Sequence, residues 1–430
     1  VSLQLSYLLV LALFYLTPLL NQIFPVFLAV SFSAQLASLA ITAYYFNEYA
    51  FIALFTNLWA IPLITILLPF ILILLMLSLF NLKILSIPVL FIEMGLELLF
   101  KGLELMTLIQ GKALVIAQPE LLTVILYYLL LFSLKYVYQK RHIDLKARNF
   151  KIWKLLIPGL LMLVIISFFI NPVSGNLEID YLAVGQGDGI LIQFPNGKKM
   201  LIDTGPPGSD GRNVEYSIIS YLNYLGIKKL DYLLISHFDA DHAGGIPHLL
   251  ERKNIRTIMI PPYTEQTNFH LKLAAGIKKK TKVNILTAGM EFEISGCQFK
   301  VLNPSPDKIS EDRNENSIVF LLKHQERTFL FTGDLSKTGE KRIVKNYNLP
   351  KIDILKAGHH GSKTSSGKIL LEELKPKLAV ISVGRNNFGH PSEEVINRFK
   401  DLKIQYLRTD QSGMIKITSD GKNIFLNTFK

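Results

Sequence analysis

The sequence predicts two parts: a bundle of membrane-spanning α-helices, followed by an α/β domain. Three observations carry this. Charge is divided unevenly, with ten Lys/Arg and six Asp/Glu in residues 1–174 against thirty-six and twenty-eight in 175–430. The first part holds apolar runs long enough to cross a bilayer core, which takes about 20 helical residues. The second part repeats one pattern, a short apolar strand-like run that ends in polar, metal-competent or glycine residues. It occurs in MLIDTG (Met200–Gly205), YLLISHFDADH (Tyr232–His242), FLFTGD (Phe329–Asp334), IDILKAGHHGS (Ile352–Ser362) and LAVISVGRNNFGHP (Leu378–Pro391). Strands that all deliver reactive residues at their C-terminal ends imply one shared site along a sheet edge.

In chain order, residues 3–20 and 23–46 are the first two spans. Residues 50–80 are too long for one ordinary span, and Pro62 and Pro69 are expected to break or kink them. Between residues 82 and 110, Glu93, Glu97, Lys101 and Glu104 recur on one helical face while Leu96, Leu99, Phe100 and Leu103 fill the other. That pattern suits a helix in the membrane interface, with packing on the soluble part as the alternative. Residues 121–138 and 155–171 are two further spans. Gln4, Ser6, Gln35 and Asn57 are the polar residues within spans, and each reads as bundle hydrogen bonding. The loop Lys135–Lys154 carries seven cationic side chains against Asp144, which marks it as cytoplasmic. One more span then puts the soluble part outside. Asn171–Gly175 is the linker, giving domains 1–174 and 175–430. The chain opens at Val1 inside an apolar segment, so it is expected to be the C-terminal part of a longer protein. The lone Cys297 rules out an intrachain disulfide and a thiolate zinc site.

The chemistry centres on LDYLLISHFDADHAGG (Leu230–Gly245). Its apolar run is too short for a helix, and four metal-competent side chains follow within six residues. A loop at a strand end can turn them two ways, His237 and Asp239 towards one ion, Asp241 and His242 towards a second. Paired ions suit phosphoester hydrolysis, because together they hold the attacking and leaving oxygens and lower the pKa of water. Asp334, after a strand and Thr332-Gly333, can point its carboxylate into the same site.

SHFDADHAGG resembles the HxHxDH signature of the metallo-β-lactamase superfamily, with Asp239 in place of the middle His. Following LGIKKLD (Leu225–Asp231), that variant is similar to the C-terminal domain of the ComEC family of competence DNA-uptake proteins. LQLSYLLVLAL (Leu3–Leu13), AQLASLAITAYYF (Ala34–Phe46) and TNLWAIP (Thr56–Pro62) resemble the channel segments of that family, so the likeness covers almost the whole chain. The resemblance implies a membrane helical bundle followed by a metallo-β-lactamase αββα sandwich. It makes Asp334 the carboxylate that bridges the two metals. His359 is favoured as a ligand, and His360 as a proton donor or phosphate contact, because neighbours on an extended strand face opposite ways. His390, in NNFGHP, becomes the last ligand or a transition-state contact. Asp241 and His360 are thus the catalytic candidates. His237, Asp239, Asp241, His242, Asp334, His359 and His390 form the ligand set. Two departures stand out. The usual third His of the first metal is absent, RNENSIVF offering only Asn316-Ser317, and Ala183 replaces an Asp in AVGQGD, which is expected to be a structural turn. His142, His248, His270 and His324 match no motif and read as surface or core residues.

Carboxylates beside imidazoles, without thiolate, favour two divalent ions, manganese first with zinc or magnesium as alternatives. Lys278, Lys279 and Lys280 are the leading candidates for phosphate contact. The implied function is DNA internalisation: a nuclease domain degrades one strand outside while the bundle passes the other. The competing readings are a membrane-tethered phosphodiesterase for another substrate and a domain that only binds DNA. The implied partners are DNA, as single strand in transit and duplex substrate, membrane lipid, other DNA-uptake proteins and a second copy of the chain.

Overall fold

The computed structural model describes residues 2–79, 86–110, 113–139, 148–170, 173–262, 277, 281–307 and 309–430. Two compact units result: Val1–Asn171 with Asn223–Ile227, and Pro172–Leu222 with Lys228–Lys430.

The first unit is helical: α1 (Ser2–Leu20), α2 (Val26–Phe46), α3 (Ile52–Ser78), α4 (Ser86–Gln110), α5 (Leu121–Gln139) and α6 (Arg148–Ser167). A two-residue strand, β1 (Glu48–Tyr49), pairs antiparallel with β2 (Leu114–Val115). Among the described residues α1, α2 and α3 are long and apolar enough to cross a membrane, while the apolar stretches Leu121–Leu134 and Leu155–Ser167 are shorter. The expected break at Pro62 and Pro69 does not occur, and α3 runs continuously through both. Each proline removes one N–H bond, and the turns between them keep theirs, so the helix survives. Its 27 residues make it about 40 Å long at about 1.5 Å per residue. α4 packs along α3, where a side chain on Gly95 or Gly102 would collide with Leu67 or Trp59. Leu99 is buried, but Phe100 is exposed, against its expected place on the apolar face. The expected basic loop 135–154 is helical at both ends, because α5 continues to Gln139 and α6 begins at Arg148. Lys and Arg are good helix formers, so basic segments extend the helices that carry them. The rest of that loop, 140–147, lies outside the described residues. Hydroxyls of Tyr49, Tyr127 and Tyr128 donate to the carbonyls of Gln35, Leu36 and Ala37 at 2.8, 2.6 and 2.8 Å, tying β1 and α5 to α2.

The second unit is two stacked sheets. The chain lays down β3 (Leu177–Tyr181), β4 (Ile190–Gln193), β5 (Lys199–Ile202), β6 (Lys229–Leu234), β7 (Asn254–Ile260) and β8 (Lys282–Ile285). It then builds the second sheet from β9 (Glu291–Ile294), β10 (Cys297–Asn303), β11 (Val319–His324), β12 (Arg327–Phe331), β13 (Ile354–Lys356), β14 (Leu378–Ile381) and β15 (Gln405–Arg408). A last hairpin, β16 (Met414–Ser419) and β17 (Ile424–Phe429), returns to the first, giving the orders β17-β16-β3-β4-β5-β6-β7-β8 and β15-β14-β13-β12-β11-β10-β9. Alternate residues of both sheets, among them Ile179, Ile192, Ile202, Phe299, Phe320 and Phe331, interdigitate as the central core. The other face of the second sheet packs Leu355, Ala379 and Ile381 against Ile343, Leu371 and Phe399 of flanking helices. β5, β6 and β7 run parallel, as do β12, β13 and β14. The C-terminal ends of these two sets carry the polar endings singled out in the sequence.

Candidate metal centre

β6 ends at Leu234, and Ser236 and His237 follow it into the site, both buried. Asp239 starts one helical turn, Ala240–Ala243, which places His242 beneath it with no exposed surface. Three other strand ends face this turn: Asp203 after β5, Asp334 after β12, and Lys356, His359 and His360 at β13. Asp188, His242, Asp334 and His360 bring donor atoms within 4.8 Å of one another, all four buried. His242 Nε2 lies 3.3 Å from Asp334 Oδ2 and 4.0 Å from Asp241 Oδ2. His360 Nε2 lies 3.5 and 3.2 Å from the same two oxygens.

The two imidazoles are aimed by their far nitrogens. His242 Nδ1 donates to Asp203 Oδ2 at 2.8 Å, and His360 Nδ1 donates to the Ser382 carbonyl at 2.9 Å. With both Nδ1 protons committed, the Nε2 lone pairs face each other across 3.2 Å. Two lone pairs hold that separation only with a cation or a proton between them, and an acceptor behind each His is the usual support of a metal ligand. His237 Nε2, Asp188 Oδ1 and Asp334 Oδ1 are buried without a hydrogen-bond partner among the described residues. The residues present therefore fit a divalent cation.

The electrostatics agree. Burial pushes His242 down, but Asp334 and Asp203 outweigh it and hold the imidazole well above its ordinary value. Burial likewise opposes the charge on His360, and Asp334 and Asp241 raise it nonetheless. Burial also works against ionised Asp334, yet His242, His360 and Lys356 keep its carboxyl well below the usual range. His237 is driven well below its ordinary value, by burial and then by His242, and stays neutral, the form that ligates metal. Asp203 is pushed up by burial. Its oxygens nevertheless accept from the Ser236 N–H and hydroxyl, each at 2.7 Å, so the proton shared with His242 sits on the ring.

Of the sequence candidates, His242, Asp334 and His360 belong to this donor set, and Asp241 Oδ2 adjoins it. His360, expected as proton donor, is the histidine whose Nε2 joins it. His359 Nε2 approaches only Asp334 Oδ2, at 3.6 Å, and is partly exposed. The strand argument failed because the chain turns there: His359 and His360 both take left-handed conformations, φ 49° and 53°. His237 Nε2 lies 3.8 Å from Asp239 Oδ2, while Asp239 Oδ1 accepts from Arg313 at 3.0 Å. The His390 ring stacks edge-on to His359 with centroids 5.6 Å apart. Asn316, offered in place of the usual third His, exchanges two hydrogen bonds with the Ser310 backbone. His248 pairs with Glu215 and His324 with Ser419. Lys278–Lys280, His142 and His270 lie outside the described residues.

Sequence reasoning missed Asp203, Lys356 and the position of Asp188. Lys356 is fully buried, paired with Asp188 and 3.8 Å from Asp334 Oδ1. The turn containing Asp188 is more than structural. Its N–H bonds the Asp241 carbonyl at 3.2 Å. Gly187, at φ 142°, allows that approach, since a Cβ there would sit 2.3 Å from the same carbonyl oxygen. Ala183, replacing the family's Asp, is exposed. The signal that could have found Asp203 was the strand-then-Asp ending of MLIDTG, the same one that singled out Asp334.

Residues 182–385 match the family model of the metallo-β-lactamase superfamily, and residues 1–141 match the competence protein model. The chain is 30% identical to the ComE operon protein 3 of Bacillus subtilis, over 90% of its own length and 51% of that protein. It is 34% identical to the recombination protein 2 of Haemophilus influenzae, over 56% of this chain and 28% of that one. With the competence protein ComA of Neisseria gonorrhoeae it shares 34% identity, over 54% and 31%. The chain thus spans about half the length of the first of these relatives and less of the others. Its second unit is a metallo-β-lactamase-like sandwich with a buried Asp/His centre, joined to apolar helices of the competence type. The chain belongs to the ComEC family of competence proteins.

Proposed function

We propose that this chain serves DNA internalisation during natural transformation, with residues 175–430 acting as a metal-dependent nuclease on the strand that is not transported. In this reading residues 1–174 pass the other strand, and the nuclease lies outside the cytoplasmic membrane. The observation that carries the hydrolytic part is the convergence of His242 Nε2, His360 Nε2, Asp334 and Asp241, each imidazole held from behind. Membership among competence proteins supports DNA as the substrate.

A divalent ion would be held by His242, His360, Asp241 and Asp334, with His237 and Asp239 offering donors to a second. Such ions, manganese first by the donor chemistry, polarise a phosphoryl group and acidify water. The chain's own residues do the rest. Asp203 and Ser382 fix both ring tautomers. Lys356 pairs with Asp188 and, with the two imidazoles, keeps Asp334 ionised inside the sandwich. His359, partly exposed and adjacent to Asp334, is placed to give a proton from Nε2 to the leaving oxygen, the role first assigned to His360. Arg313, paired with Asp239 at the rim, can turn to a substrate phosphate.

The test uses the full chain in lipid nanodiscs with manganese, magnesium or zinc. DNA should be cleaved, and Asp241→Asn should lower the rate by orders of magnitude while the fold persists, because Asp241 is part-exposed on its turn. A metal-loaded Asp241→Asn protein with near wild-type activity would refute the site. Cleavage of small phosphodiesters without cleavage of DNA would support a tethered phosphodiesterase instead.

A further inference from the structure

The second sheet has another charged feature, at the end opposite the metal centre. A groove of about 680 Å³ opens where β12, β13 and β14 begin. Lys323, Arg327, Lys351, Lys375 and Lys377 line it, around Asp353. Glu326 is the only other acidic residue in its lining, which leaves an excess of three positive charges.

The cations are not all loose surface side chains. Asp353, largely buried, accepts the Thr328 N–H at 3.0 Å through Oδ2. Its Oδ1 binds Lys377 Nζ at 2.7 Å and Arg327 at 3.3 Å. Lys351 Nζ donates to the Glu373 carbonyl at 3.2 Å, which fixes a third. Lys323 and Lys375 are exposed and have no side-chain partner among the described residues. One buried carboxylate thus organises a cationic rim whose charge it only partly balances. The volume suits a nucleotide-sized ligand. Among the described residues the lining holds no aromatic side chain on which a base could stack, so recognition rests on phosphate.

We infer that this groove is a second nucleic-acid contact, binding the phosphodiester backbone of a DNA strand whose other part lies at the metal centre. The inference rests on the nuclease reading above and deepens it. β12 has five residues and spans about 17 Å at about 3.3 Å per residue. At about 3.4 Å per nucleotide, a strand must exceed about five nucleotides to touch both sites. Short substrates therefore use the metal centre alone, and long ones gain the groove.

The experiment compares wild type with Lys323→Ala/Lys375→Ala, full chain in nanodiscs. Binding of a labelled single strand of about 20 nucleotides, with metal chelated, is followed between about 50 and 200 mM salt. Two lost phosphate contacts should reduce the log–log slope by about 1.4 and weaken binding about 25-fold at 0.1 M salt. With metal restored, KM should rise for the long strand and stay unchanged for one of about four nucleotides. A wild-type slope in the double variant, or equal loss on short and long strands, overturns the groove while leaving the nuclease reading intact. A wild-type chain that neither binds nor cleaves DNA overturns both.

Discussion

Asp203→Asn tests whether the centre is built from behind. Asp203 Oδ2 holds the His242 Nδ1 proton at 2.8 Å, while Oδ1 accepts the Ser236 N–H. Asn keeps the second contact through its carbonyl oxygen and tolerates the left-handed backbone at φ 58° better than Ala would. Its amide N–H₂ facing His242 Nδ1 favours the other tautomer, which moves the proton to Nε2 and removes the lone pair aimed at His360. Losing such a support costs about 10–100-fold in metal affinity, or about 1.4–2.8 kcal/mol. At a manganese concentration about 100 times the wild-type Kd, the ion stabilises wild type by about 2.7 kcal/mol. The variant should retain only about 0.4–1.4 kcal/mol of this. Calorimetric titration of the metal-free chain reads the affinity, and thermal unfolding with and without metal reads the linkage. An affinity within about twofold of wild type, in a variant that folds, would show that Asp203 does not orient a ligand.

Three other outcomes follow from the same geometry. Metal affinity should rise with pH, because His242 and His360 have raised values without metal and must each release a proton to ligate. Their stabilisation of the metal-free fold is complete below about pH 6.5 and is lost as pH rises through their raised values. His237, held low, contributes oppositely. Calorimetry in buffers of different ionisation enthalpy counts the protons, and an affinity flat between about pH 6 and 8 would contradict it. Gly187→Ala should displace the Asp241 carbonyl, since Cβ would lie 2.3 Å from it at a φ of 142°. A stability loss of at least about 1–3 kcal/mol with weakened metal binding is expected, and a wild-type melting curve would count against the close approach. For orientation, Lys282→Cys, on an exposed strand, should label in intact cells. Labelling only after permeabilisation would put the domain inside.

Much of the molecule could be read from local sequence because the signals were local. Apolar length marked α1, α2 and α3, and strand runs ending in Asp or His marked most of the residues at the centre. The limits came where neighbours in space decide. Pro62 and Pro69 read as a break or a kink, and the break does not occur, one apolar helix running through both. His359 and His360 read as alternating strand residues. Two left-handed residues, which tertiary packing must enforce, reverse which Nε2 meets His242. Lys356 carried no local signal, and only the fold puts its ammonium against Asp188, 168 positions earlier in the chain. Asp203 and His242, 39 positions apart, come within hydrogen-bond distance only when β5 and β6 pair in parallel. Sequence alone thus determined the architecture and the kinds of donor present, because hydrophobic periodicity and residue chemistry are properties of short segments. Which donors face a common point, and which are held by a second residue, was decided by tertiary structure, because strand register and backbone turns set distances that spacing along the chain does not encode.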